Sequence, residues 1–113
     1  MIKLISFGAK YGNQPAGLTR PAMSLLGVEN PYNDPKLKDM DGTHPEVQNF
    51  LRNYPIFNRV LDRYSKEAQD GDVLGFYCNS GKHRSVAMVE ILSKRLAAKG
   101  YQVSTMHRDI DKG

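Results

Sequence analysis

The chain has no tryptophan, one cysteine and three histidines among its 113 residues. A lone cysteine excludes an internal disulfide and a cysteine-rich zinc site, and it fits the reducing cytoplasm as the expected compartment. His44, His83 and His107 stand far apart with no accompanying carboxylate cluster, so no metal site is expected. No apolar run approaches the length of a membrane span, and no membrane partner is expected. The opening MIKLISFGAKYG is too short and too interrupted for a signal peptide. No G-x-x-x-x-G-K-[ST] occurs, so nucleotide hydrolysis on a P-loop is not inferred and no cofactor is expected. Internal repeats, low-complexity tracts and linkers are also missing.

What is present is the composition of an ordinary globular domain, 40% hydrophobic and 25% charged. The length predicts one domain over residues 1–113, large enough to bury roughly two-thirds of the surface of its unfolded chain. The net charge of +4 is unevenly placed. Residues 1–81 carry nine Lys/Arg against nine Asp/Glu, and residues 82–113 carry seven against three. The excess therefore sits in the last third, and it suits a phosphorylated ligand or nucleic acid as well as a solvated helix face.

Apolar periodicity and turn residues predict an α/β unit. IKLISF (2–7) reads as a first strand, and within the Gly- and Pro-rich stretch that follows only AMSLL (22–26) has strand character. Thr43 and Glu46 fit a capping box, with Pro45 in the first turn and Val47, Phe50, Leu51 and Tyr54 at helical spacing. Pro55 interrupts, and Ile56, Val60, Leu61 and Tyr64 continue the pattern, giving a helix pair or one kinked helix. VLGFYC (73–78) is continuous enough for a strand buried on both faces. An amphipathic helix follows over Ser85–Lys99, Gly100 stops it, and YQVSTMHR (101–108) reads as a last strand.

Between buried strand and amphipathic helix lies YCNSGKHRSV, residues 77–86. A helix start offers unpaired N–H groups and a partial positive charge, a glycine lets the backbone approach a ligand, and Lys82, His83 and Arg84 add cations and donors. Cys78, Asn79, Ser80, Gly81, Lys82, His83, Arg84 and Ser85 are accordingly the candidate anion-binding residues. The same residues spell C-x-x-G-x-x-R-S, the loop of enzymes that form a cysteinyl phosphate, with Cys78 as nucleophile and Arg84 as the group that holds the phosphate. Such an enzyme also needs a general acid, and Asp34, Asp39, Asp41, Asp109 and Asp111 are candidates without a recognisable context. Tyr11, Tyr32 and Phe7 either pin their loops or stack on a base or sugar, and His44 reads as a cap-region or surface residue. His83 and His107 would converge at the ligand edge of the sheet if their strands were neighbours.

Three ordered blocks, SFGAKYG (6–12), NPYNDPKLKDMDG (30–42) and GKHRSVAMVEILSKRLAAKGYQVSTMHRDIDK (81–112), resemble the C-terminal domain of the RapZ/YvcJ-like RNase adapter family. The resemblance covers nearly the whole chain. It implies an α/β sandwich, likened to a phosphofructokinase subdomain, that binds RNA and a phosphorylated amino sugar and forms oligomers. The family's T-G-G is Asn79-Ser80-Gly81 here, its D-V-R segment before the N-P block has no clear counterpart, and its N-terminal ATP-binding domain has no match.

The fold expected is thus α/β, a single-domain sandwich with a small, mostly parallel sheet flanked by helices and a strand–anion loop–helix unit at 73–99. The function expected is a cytoplasmic, non-catalytic regulatory module. Its ligand is a phosphorylated small molecule at residues 78–85 with His107, and its macromolecular partner is RNA at Lys94, Arg95, Lys99 and Arg108. A homo-oligomer is implied by the resemblance. The alternatives are a small cysteine phosphatase using Cys78 and Arg84, and a protein-interaction module with a vestigial anion pocket.

Overall fold

Ile2–Gly8 forms the first strand, β1, in a computed structural model that describes residues 1–112. Gly113, the end of the expected domain, lies outside the described residues. β1 alternates between two faces, with Ile2, Leu4 and Ser6 fully buried on one of them. The predicted strand at 22–26 contracts to β2, Met23–Ser24. The Leu25 N–H still reaches the Tyr77 carbonyl, but the Val28 N–H turns back to Leu25 and ends the ladder.

The interrupted helical pattern becomes two helices, α1 over Pro45–Leu51 and α2 over Pro55–Glu67, each with proline at its first position. Proline is tolerated there because that N–H has no helical acceptor. The expected capping box does not form. His44 is the N-cap of α1 and makes no side-chain cap bond, while the Thr43 N–H and hydroxyl both donate to the Asp41 carboxylate. In α2 the inward series starts at Phe57, fully buried, and not at Ile56, which is 48% exposed.

VLGFYC forms β3, Val73–Cys78, as its apolar run predicts. The amphipathic segment forms α3, Arg84–Ala98, with Val86, Ala87, Met88, Val89, Leu92 and Leu96 buried. The final strand β4 is confined to Val103–His107, shorter than the 101–108 expected.

The four strands are all parallel, in the order β2-β3-β1-β4. One face, with Ile2 and Leu4 of β1 and Leu74 and Phe76 of β3, joins a single apolar core with the three helices. Tyr64 of α2 meets Phe76 edge-on at 5.0 Å between ring centroids. On the other face Phe7 and Tyr77 pack at 5.4 Å, and the segment after β1 lays Leu18 against Gly75. Parallel order puts the carboxyl ends of β1, β3 and β4 along one edge, where open α/β sheets bind ligands. Among the described residues no helix is long and apolar enough to cross a membrane.

Candidate functional site

Gly81 has φ of 68°, a left-handed value that glycine adopts at little cost. That turn carries the chain from β3 into α3 directly beneath the end of β1. A side-chain carbon on Gly81 would lie 2.6 Å from the Gly8 nitrogen, and one on Gly8 would lie 2.5 Å from the Ser80 carbonyl carbon. The Lys10 N–H donates to the Asn79 carbonyl at 3.1 Å and the Gly42 N–H to that of Lys82 at 2.9 Å. The loop is thus held by its carbonyls. Its own N–H groups, from Ser80 to His83, and those of the first α3 turn, Arg84, Ser85 and Val86, meet no acceptor among the described residues. Consecutive free N–H groups at a helix N-terminus form an anion-binding concavity.

A pocket of about 290 Å³ opens beside the turn, lined by Lys10, Asn30, Tyr32, Asn79, Ser80, Lys82 and His83. Its wall has two lysines and no carboxylate. His83 is 2% exposed, and its Nε2 has no hydrogen-bond partner among the described residues. Burial pushes the imidazole below its ordinary pKa and Lys82 adds repulsion, against the opposing pull of the Leu37, Lys38 and Met40 carbonyls. His83 is therefore a neutral donor or acceptor at pH 7. A larger hollow beside residues 14–21 has Arg20 as its one charged lining residue, and that side chain is paired with Glu67 and Asp72.

Of the loop residues singled out from the sequence, Asn79, Ser80, Lys82 and His83 line the pocket, and Cys78, Arg84 and Ser85 lie behind it. The Cys78 thiol is 2% exposed, with its Sγ 3.3 Å from the Ser85 hydroxyl. Arg84 is 5% exposed, and one terminal nitrogen donates to the carbonyls of Leu25, Leu26 and Val28 at 3.4, 3.3 and 3.0 Å. Its guanidinium ties α3 to the segment that leads to Asn30 and Tyr32. Both residues required by the phosphatase chemistry are thus engaged in internal contacts, and the pocket wall offers no acid.

His107 is not brought to this pocket, because β1 lies between β3 and β4. It bridges the Ser6 hydroxyl, 2.7 Å from Nδ1, and the Glu90 carboxylate, 3.1 Å from Nε2. The four basic residues picked for RNA also separate. Arg95 pairs with Asp62, Lys99 donates to the Ser65 carbonyl, and both line a groove between α2 and α3 with Lys66. Arg108 lies beyond β4, bonded to Asp109 and to the carbonyl of Asn13.

Sequence reasoning missed Lys10 and Asn30 as pocket residues and left Tyr32 between pinning and stacking. The signal was present, since SFGAKYG and NPYNDP are two of the three blocks that carry the family resemblance. It also left Asp109 as one of several candidate acids. That carboxylate is 1% exposed and accepts from the Gly8 N–H, Arg108 and Lys112. Burial opposes its charge, but these bonds outweigh burial and hold its pKa at about 2.

The family profile described as the RapZ C-terminal domain matches residues 1–111. Similar curated proteins include one from Oleidesulfovibrio alaskensis, 37% identical over 123 residues that span 99% of this chain and 41% of the relative. One from Lachnoclostridium phytofermentans is 36% identical over 126 residues, 99% of this chain and 42% of the relative. Another, from Limosilactobacillus reuteri, is 34% identical over 125 residues, 98% and 41%. All three are named nucleotide-binding proteins, and the chain spans about two-fifths of their length.

Proposed function

The chain belongs to the RapZ C-terminal domain family, and from that premise we propose that it is a regulatory module that binds a phosphorylated small molecule in the Lys10–Tyr32–Lys82 pocket. The observation that carries this reading is the run of N–H groups from Ser80 to Val86 that have no partner among the described residues. Of these residues Ser80, Lys82 and His83 line the pocket, in a wall of two lysines, two asparagines, a serine, a tyrosine and a neutral histidine. Such a site takes a dianion through backbone donors, and the two cations supply long-range attraction. Asn30, Asn79 and Ser80 offer the side-chain partners that a sugar's hydroxyl or amino groups need, and Tyr32, 53% exposed, offers a ring face. A phosphorylated amino sugar suits this chemistry, in line with the family resemblance. The relatives' names add a nucleotide as a competing ligand class.

The test is calorimetric titration of the protein with a hexosamine phosphate, the unphosphorylated sugar, a nucleoside monophosphate and inorganic phosphate, repeated with Lys10→Ala and Lys82→Ala. Saturable binding of a phosphorylated ligand, absent for the bare sugar and weakened by either substitution, supports the reading. Equal affinities across the three proteins sink it.

RNA is the macromolecular partner we assign to the outer α2–α3 face, where Lys66, Arg95 and Lys99 share a groove, with Lys94 beside Arg95 on α3 and Lys99 just past its end. The reading rests on the charge surplus of the last third of the chain. A cytoplasmic setting agrees with the free thiol, and a homo-oligomer follows from the resemblance. Size-exclusion chromatography with light scattering checks the oligomer, and a single-copy mass excludes it.

A further inference from the structure

Asp109 lies outside the pocket wall, yet its contacts converge on the segment that forms one side of that wall. Its Oδ2 accepts the Gly8 N–H at 2.7 Å, and Lys112 Nζ donates to its Oδ1 at 2.7 Å. Arg108 donates to Oδ2 at 2.9 Å, bonds the Asn13 carbonyl, and places its guanidinium 5.2 Å from the centre of the Phe7 ring. The Tyr11 hydroxyl donates to the Lys112 carbonyl at 3.0 Å. The turn at 108–112 thus clamps residues 7–13 at both ends and in the middle.

That segment touches the anion loop twice. Gly8 packs on the Ser80 and Gly81 backbone, and the Lys10 N–H holds the Asn79 carbonyl while Lys10 is itself a lining residue of the pocket. A buried carboxylate with an N–H, a guanidinium and an ammonium as partners keeps one geometry, because releasing any partner leaves charge unpaired in a poorly solvated place. We infer that Asp109 is a positioning residue for the pocket: through Gly8 and the Arg108–Lys112 clamp it fixes segment 8–11 against the Asn79–Gly81 turn and so sets the affinity for phosphate. This rests on the pocket being the anion site.

Two measurements on the ¹⁵N-labelled protein separate the positioning role from that premise. The first needs no ligand and follows hydrogen exchange of the Lys10 amide, with amide shifts of Asn79–Lys82, in wild type, Asp109→Asn and the surface control Asp70→Asn. The second titrates inorganic phosphate into the same proteins and Lys82→Ala. In Asp109→Asn, Lys10 exchange is expected to rise and phosphate affinity to fall by about tenfold each, with the Leu4 and Leu74 amides of the central strands unchanged. Lys82→Ala is expected to lose affinity without any change at Lys10. Unaltered Lys10 exchange in Asp109→Asn, or acceleration spread equally over Leu4 and Leu74, overturns the positioning role. Wild type without saturable phosphate shifts defeats the pocket reading, and the exchange arm still decides whether Asp109 fixes the segment. If Asp109→Asn fails to fold, Lys112→Ala and Tyr11→Phe, which each remove one clamp contact, are read in its place against the same criteria.

Discussion

Gly8 and Gly81 meet backbone to backbone where β1 ends, and neither position has room for a side-chain carbon. The contact joins a strand end to the turn before α3 across a sequence gap that no local pattern spans. It lets the Asn79–Gly81 turn sit low enough for Lys10 to reach both the Asn79 carbonyl and the pocket.

Gly81→Ala adds a side-chain carbon at a positive φ and 2.6 Å from a backbone nitrogen. Both the strain and the clash oppose it, so a loss of about 2 to 3 kcal/mol is expected. Gly8→Ala meets the same wall from the other side. Urea denaturation measures both losses, and the Lys10 and Asn79 resonances should move in each variant.

Arg84 serves as an internal brace. Arg84→Ala removes the guanidinium donor from the Leu26 and Val28 carbonyls, while the Leu25 carbonyl keeps the Val28 N–H, and it opens space in the core, with an expected cost of about 3 kcal/mol. Arg84→Lys retains the charge but lacks the planar fork and should recover only part of that loss. Thermal denaturation of the three proteins gives the order, and a wild-type midpoint for Arg84→Ala would contradict the brace.

Cys78 is buried against Ser85. Alkylation by iodoacetate under native conditions should be slow and should accelerate on unfolding, and Cys78→Ser should fold with a modest loss. Steady hydrolysis of an aryl phosphate by wild type that disappears in Cys78→Ser would establish the phosphatase alternative.

His83 links stability to mildly acid pH. Its folded pKa lies below the unfolded value of 6.5, so its contribution is complete above that value. The unfolded chain takes up the proton first, and stability is lost as pH falls below it. Denaturant midpoints from pH 8 to 5 should show this decline, and His83→Gln should flatten it.

Asp109 acts at lower pH. Its carboxyl titrates at about 2 in the fold, against an ordinary 3.8. Its stabilisation is present above the ordinary value and fades as pH falls toward the folded one, amounting to about 2 kcal/mol at neutral pH. Asp109→Asn should lose that amount at pH 7 and lose less further stability than wild type between pH 4 and 2. Calorimetric unfolding across that window measures the difference.

Local pattern was sufficient for the elements whose neighbours are close in sequence. The apolar run 73–78, the glycine turn and the amphipathic 85–99, within a residue of α3 at each end, could be read together, because strand burial, helix periodicity and Gly81 are each written in adjacent residues. Proline at 45 marked the first turn of α1 and proline at 55 the interruption before α2, but whether that interruption parts two helices or kinks one is decided only in the fold. The family blocks at 6–12 and 30–42 drew attention to loops that periodicity leaves blank.

Tertiary structure decided which side chains those segments turn toward the pocket. Arg84 and Cys78 stand inside the motif, yet they face inward because the carbonyls of Leu25–Val28 and the Ser85 hydroxyl fill the space around them. Thr43 abandons its expected cap because Asp41 is nearer to hand. His107 leaves the pocket because β1 occupies the place beside β3. Lys10, Asn30 and Tyr32 become its wall because the loops after β1 and β2 fold onto the same edge of the sheet. The chain fixes helix and strand through backbone preferences and the spacing of apolar residues, which act over a few positions. A pocket is the meeting of segments remote along the chain, and the packing of the whole core sets their mutual placement.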